Sequence, residues 1–81
     1  MIFVGIDVAK DKHDCFITNS DGETLYKPFT ISNNREGYEE LYSKICSSTG
    51  DISKVKVGLE ATGHYSYNLL GFLVDKGFLV L

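Results

Sequence analysis

No stretch of this sequence approaches the roughly 18 consecutive apolar residues that a membrane-spanning helix requires. A leader pattern is missing too, because Asp7 interrupts the opening apolar run and no small-residue cleavage site follows it. These absences predict a soluble, cytoplasmic protein with no membrane partner. Basic charge is also short. Eight Lys and Arg stand against eleven Asp and Glu, a net charge of -3, which argues against a generic nucleic-acid-coating protein. An acidic protein still acts on nucleic acid where a metal bridges its carboxylates to phosphate. Cysteine is limited to Cys15 and Cys46, without C-x-x-C spacing. Two thiols suffice for one bridge, yet the spacing reads as two reduced, half-buried residues. His13 and His64 lack a Cys or second His at zinc-ligand spacing. Proline occurs once, at Pro28.

What remains is an ordinary small globule of 81 residues, 43% hydrophobic and 23% charged. That is too apolar for a disordered chain and long enough for one domain. Ile2 to Val8 is nearly continuous in apolar residues, as expected of a central strand covered on both faces. His13 to Asn19 alternates, with Asp14, Phe16 and Thr18 on one side and Cys15 and Ile17 on the other. The turn Asn19-Ser20-Asp21-Gly22 leads into a third strand, 23–31, which Pro28 confines to an edge. Asn33, with Glu36 three residues later, resembles a capping box. Tyr38, Leu41, Tyr42, Ile45 and Cys46 then recur at helical spacing up to Gly50. A strand over 53–60 follows. A second helix is expected from an N-cap at Thr62 to Lys76, with Tyr65, Leu69, Phe72 and Leu73 facing inward and Gly77 as its stop. Phe78 to Leu81 opens a fifth strand. The order β-β-β-α-β-α-β implies a mixed α/β sheet, an antiparallel hairpin edge joined to a parallel half. This is the ribonuclease-H-like order, shared with actin-like ATPases.

One question is why the apolar first strand carries a carboxylate near its end. An ionised Asp is rarely buried without a partner. Its counterpart is an echo. Val4-Gly5-Ile6-Asp7 recurs as Val57-Gly58-Leu59-Glu60. In each copy the glycine lies two residues before the acid, on the same face of the strand, leaving room for an ion or a phosphate. If the two strands are parallel neighbours, Asp7 and Glu60 stand about 4.8 Å apart, one strand spacing. Unpaired carboxylates at that distance repel, and a hard cation such as Mg²⁺ or Mn²⁺ removes the repulsion.

Val4-Gly5-Ile6-Asp7-Val8-Ala9-Lys10, followed by Gly58-Leu59-Glu60-Ala61-Thr62-Gly63-His64-Tyr65, resembles the N-terminal domain of DEDD-type transposases of the insertion sequence 110 family. Piv-like DNA invertases belong to the same group. The resemblance implies a RuvC-like catalytic domain with a four-acid metal site, of which Asp7 and Glu60 match the first two. The other two acids, a D-x-x-D pair, and a serine-bearing second domain would lie downstream. Residues 1–81 are accordingly expected to be the first part of a catalytic domain, inactive alone. The resemblance further implies DNA as substrate, a structured guide RNA, and a homo-oligomer in the full-length protein. Lys10 and Tyr65 match family positions, Lys10 as a contact to phosphate or to a neighbouring carboxylate. The backbone N–H groups of Thr62 and Gly63, at the expected start of a helix after Glu60, are candidates to receive an anion or phosphate. Lys10 reads equally as a solvated turn lysine. Tyr65 reads as core packing ahead of base stacking, and Thr62 compatibly as a plain cap. Rival readings are a RuvC-like resolvase or nuclease, an actin-like ATPase and a non-catalytic scaffold. The ATPase would need a glycine and a hydroxyl soon after the acid, and Asp7-Val8-Ala9-Lys10-Asp11 has neither.

Overall fold

The computed structural model of the chain describes residues 1–61 and 65–81. Five strands form one sheet: β1 (Ile2–Val8), β2 (Lys12–Asn19), β3 (Thr24–Ser32), β4 (Val55–Ala61) and β5 (Leu79–Val80). Helix α1 (Arg35–Ser48) joins β3 to β4, and α2 (Tyr67–Asp75) lies between β4 and β5. The spatial order is β3-β2-β1-β4-β5, antiparallel from β3 to β1 and parallel from β1 to β5. This is the ribonuclease-H-like arrangement expected from the sequence. Both helices are crossovers running in the same direction between parallel strands. Right-handedness therefore puts them on the same side of the sheet.

The burial pattern shows that side directly. Along β1, Ile2, Val4, Ile6 and Val8 are buried, while Phe3 and Asp7 are exposed. They join His13, Cys15, Ile17, Ile31, Val55 and Val57 beneath Tyr38, Leu41 and Ile45 of α1 and Leu69, Phe72 and Leu73 of α2. The expectation that β1 is covered on both faces is thus corrected. Its outer face is open, and its apolar run is one core stripe plus Phe3 and Gly5. Cysteine burial is corrected as well: Cys15 is buried, Cys46 is exposed, and both are free.

Edge strand β3 is irregular where Pro28 sits. Cys15 pairs with Phe29 but Ile17 pairs with Tyr26, so β3 fits Lys27 and Pro28 opposite Phe16 alone. A bulge of this kind absorbs a residue that cannot donate to the ladder.

The entry to α1 differs from the expected capping box by one residue. Asn34 is the N-cap, its Oδ1 accepting from Gly37 N at 2.9 Å. Asn33 is used instead as a clasp. Its Nδ2 donates to Lys10 O at 2.8 Å, its N–H donates to Asp11 O at 2.9 Å, and the Tyr38 hydroxyl donates to its Oδ1. Gly37 is required because a Cβ there would fall 1.9 Å from Ser32 O.

After a 3₁₀ turn at Ile52–Lys54, β4 starts at Val55, two residues later than expected. The expected N-cap at Thr62 lies outside the described residues. The described helix begins at Tyr67 after Ser66, so Tyr65 is not part of its inward stripe and is 43% exposed. Gly77 does end α2. At φ +91° it donates to Val74 O at 3.0 Å, and Phe78 N donates to Leu73 O at 3.1 Å. These two bonds make a Schellman stop, with buried Phe78 as its apolar partner.

Candidate functional site

The open face of the sheet carries the site. Residues paired across strands project to the same side, so the register reads out its rows. One row is Thr30, Asp14, Asp7 and Glu60, running across β3, β2, β1 and β4. The next is Phe16, Gly5 and Gly58. The two V-G-aliphatic-acid segments pair without offset, Gly5 with Gly58 and Asp7 with Glu60. Two carboxylates therefore lie one strand spacing apart, as the echo requires. Both are exposed, as is Asp14.

Asp7, Asp14 and Glu60 line a groove of about 370 Å³ together with Gly5, Phe16, Pro28 and Gly58. The two glycines play different parts in it. A Cβ on Gly5 would fall 2.2 Å from Cε1 and Cζ of Phe16, so this glycine accommodates an aromatic ring rather than a ligand. A Cβ on Gly58 would meet nothing within 4 Å. The expected room beside each acid is therefore present beside Glu60, and beside Asp7 it is taken by Phe16.

Asp14 has one fixed oxygen: Thr30 Oγ1 donates to its Oδ1 at 2.8 Å. Neither Asp14, Asp7 nor Glu60 has an ion-pair partner among the described residues, where the two ion pairs are Arg35–Glu39 and Lys44–Glu40. As placed, no three His, Cys, Asp or Glu side chains among the described residues converge tightly enough to hold a metal. The donor set, all carboxylate oxygen, is nonetheless the chemistry a hard divalent cation takes. The empty volume at Gly58 is where a ligand fits without displacing protein.

Lys10 lies in the turn directly after β1, exposed, its carbonyl fixed by Asn33. Thr62, Gly63 and His64 lie outside the described residues. His13 is fully buried on the opposite face, its Nδ1 accepting from Ala9 N at 3.2 Å and its ring stacked on Tyr38. That makes it a core residue of the hairpin end, away from the acids. Cys15 is no nucleophile: burial first, then the charges of Asp14 and Glu40, push its thiol up to about 12. Asp14, Thr30 and Phe16 were not singled out from sequence. The usable signal is that the β1–β2 hairpin is symmetric about Lys10 and Asp11, which pairs Asp7 with Asp14.

A profile of the insertion sequence 110 DEDD family, described as transposase, matches residues 4–81. The chain belongs to this transposase family. A pilin gene-inverting protein of Moraxella lacunata is 36% identical over 64 residues, covering 78% of this chain and 19% of the relative. The chain thus spans about a fifth of that relative's length. The sheet places Asp7 and Glu60 at the carboxyl ends of neighbouring parallel strands, where open α/β sheets bind their ligands. No described helix is long and apolar enough to cross a membrane.

Proposed function

We propose that this chain forms part of the metal site of a DNA strand-cleaving and strand-transferring enzyme. In this reading Asp7 and Glu60 hold Mg²⁺ or Mn²⁺. The observation that carries it is the offset-free pairing of Asp7 with Glu60 on an open face, next to the empty space at Gly58. Strand pairing sets the backbones of the two acids opposite one another, and their mutual repulsion has no ion-paired cation among the described residues to offset it. When bound, a divalent ion supplies charge neutralisation of the scissile phosphate and a more acidic water. The protein's part is to hold the ion at a fixed depth and to present DNA to it.

The substrate is DNA, and the name of the Moraxella relative supports recombination that inverts or moves a DNA segment. A guide RNA and homo-oligomerisation of the full-length protein belong to the same proposal. Lys10 contacts phosphate from the β1–β2 turn. Tyr65, exposed, is available to stack on a base. Thr62 and Gly63 complete the nucleic-acid contacts directly after Glu60. In this reading two further acids complete the ion's ligands.

The test is a Mn²⁺ titration, followed by electron paramagnetic resonance, of the wild type, Asp7→Asn and Glu60→Gln. Weak binding by the wild type that either substitution abolishes supports the site. Equal binding by all three proteins overturns it.

A further inference from the structure

We propose that Lys12, together with Lys10, binds the phosphate backbone of a DNA strand where it passes between the Asp7–Glu60 pair and the β1–β2 turn. The inference rests on the proposed function for the identity of the ligand and adds the residue that holds its backbone. The first argument is placement. Alternation along β2 puts Lys12 on the open face with Asp14 and Phe16, and all three are exposed. Lys12 stands two residues beyond the row that holds Asp7 and Glu60, about 6.8 Å along the strand. Adjacent phosphates of a nucleic-acid strand are separated by a similar distance. One phosphate at the carboxylate pair therefore brings its neighbour within reach of the flexible Lys12 stem. The space is there too: a cavity of about 530 Å³, lined by Ala9, Lys10, Asp11, Lys12, Asp14 and Thr30, meets the acid groove at Asp14.

The second argument is charge. Neither Lys10 nor Lys12 forms an ion pair among the described residues. The acid nearest Lys12 on its own face, Asp14, has Oδ1 engaged by the Thr30 hydroxyl instead. Two unpaired ammonium groups beside a metal-bearing acid pair complement consecutive phosphates. Asp11 and Asp14 balance the two lysines within the cavity, so loss of either lysine leaves it net negative.

The third argument is that the turn is held in advance. Three of its main-chain groups are tied by side chains or backbone from outside it. Ala9 N–H donates to His13 Nδ1 at 3.2 Å. Lys10 O accepts from Asn33 Nδ2 at 2.8 Å, and Asp11 O accepts from Asn33 N–H at 2.9 Å. The His13 ring is fully buried. Accepting at Nδ1 puts its ring proton on Nε2, which has no partner among the described residues. A buried donor left unpaired is costly, and what this one secures is the position of the turn. A turn fixed beforehand loses less freedom when it takes up a ligand.

The experiment measures fluorescence anisotropy of a labelled DNA oligonucleotide with the wild-type chain across a salt series in Mg²⁺. The variants are Lys12→Ala, Lys12→Arg, Asn33→Ala and, as a control, Lys54→Ala, placed just before β4 at the opposite end of the sheet. Lys12→Ala should bind about fivefold more weakly, with a log–log salt slope smaller by about 1, and Lys12→Arg should restore both. Asn33→Ala frees the turn without removing a charge, so it should weaken binding and leave the slope as it was. Lys54→Ala should match the wild type. Wild-type affinity and slope in Lys12→Ala would overturn the proposal, as would a wild type that binds no DNA. Tighter binding of an RNA oligonucleotide of the same sequence, with the same dependence on Lys12, would overturn DNA as the occupant. The Mn²⁺ titration of Asp7→Asn and Glu60→Gln needs no DNA, so the metal reading and this one fail separately.

Discussion

Gly5 and Gly58 are partners in one row, and a single methyl group distinguishes what each is for. At Gly5 the methyl would strike the Phe16 ring, so Gly5→Ala should lower stability by about 1–2 kcal/mol. Urea unfolding should show the loss shrinking when Phe16→Ala is added. At Gly58 the methyl enters open space. Gly58→Ala should leave stability unchanged or raise it by about 0.5 kcal/mol, while Mn²⁺ titration shows weaker binding because the groove is narrower. The thiols make a second residue-scale contrast. Cys46 is exposed and Cys15 is buried, with its pKa raised to about 12 from 9.0. A disulfide reagent at pH 8 should therefore titrate one thiol quickly and the second only on unfolding. Because the folded pKa lies above the unfolded one, Cys15 contributes its full stability below pH 9. That contribution is lost as pH rises from 9 toward 12.

Among the elements, the junction between β3 and α1 shows where sequence reading succeeds and where it slips. Ser32-Asn33-Asn34 announced a helix start, and a helix starts there. Two adjacent asparagines are equivalent as caps on paper. The tertiary contact of Asn33 with the β1–β2 turn decides between them, and that contact is invisible locally. Asn34→Ala should cost about 1 kcal/mol as an ordinary cap deletion. Asn33→Ala should instead raise hydrogen exchange at its own amide, whose bond to Asp11 O then lacks the neighbouring side-chain tie. Gly77 was readable at the other helix because a positive φ and a following apolar residue leave a composition signature. The start of α2 was not, since Thr62 and Ser66 are both plausible caps by residue type.

For the molecule as a whole, one apolar layer between sheet and helices provides the only core cluster among the described residues. A domain of this size has little stability to spare. Leu41→Ala, at a fully buried position, should cost about 2–5 kcal/mol and lower the melting midpoint of far-ultraviolet and tyrosine signals together. The topology was legible from element order, because parallel strands joined by helices admit few arrangements. The acid pair was legible because its two segments repeat. Asp14 was not, for its partnership with Asp7 depends on hairpin register, which no residue-type pattern states outright.

That offset-free pairing of β1 with β4 has a further consequence. In a strand, the same alternation that sends Val4, Ile6, Val55 and Val57 inward sends Asp7 and Glu60 outward. A slip of one residue would drag Glu60 under the helices and push valines into water. Hydrophobic burial thus acts as a proofreader for the placement of the acids. Damage far from the groove, in the methyl groups beneath it, will be felt above as carboxylates out of step.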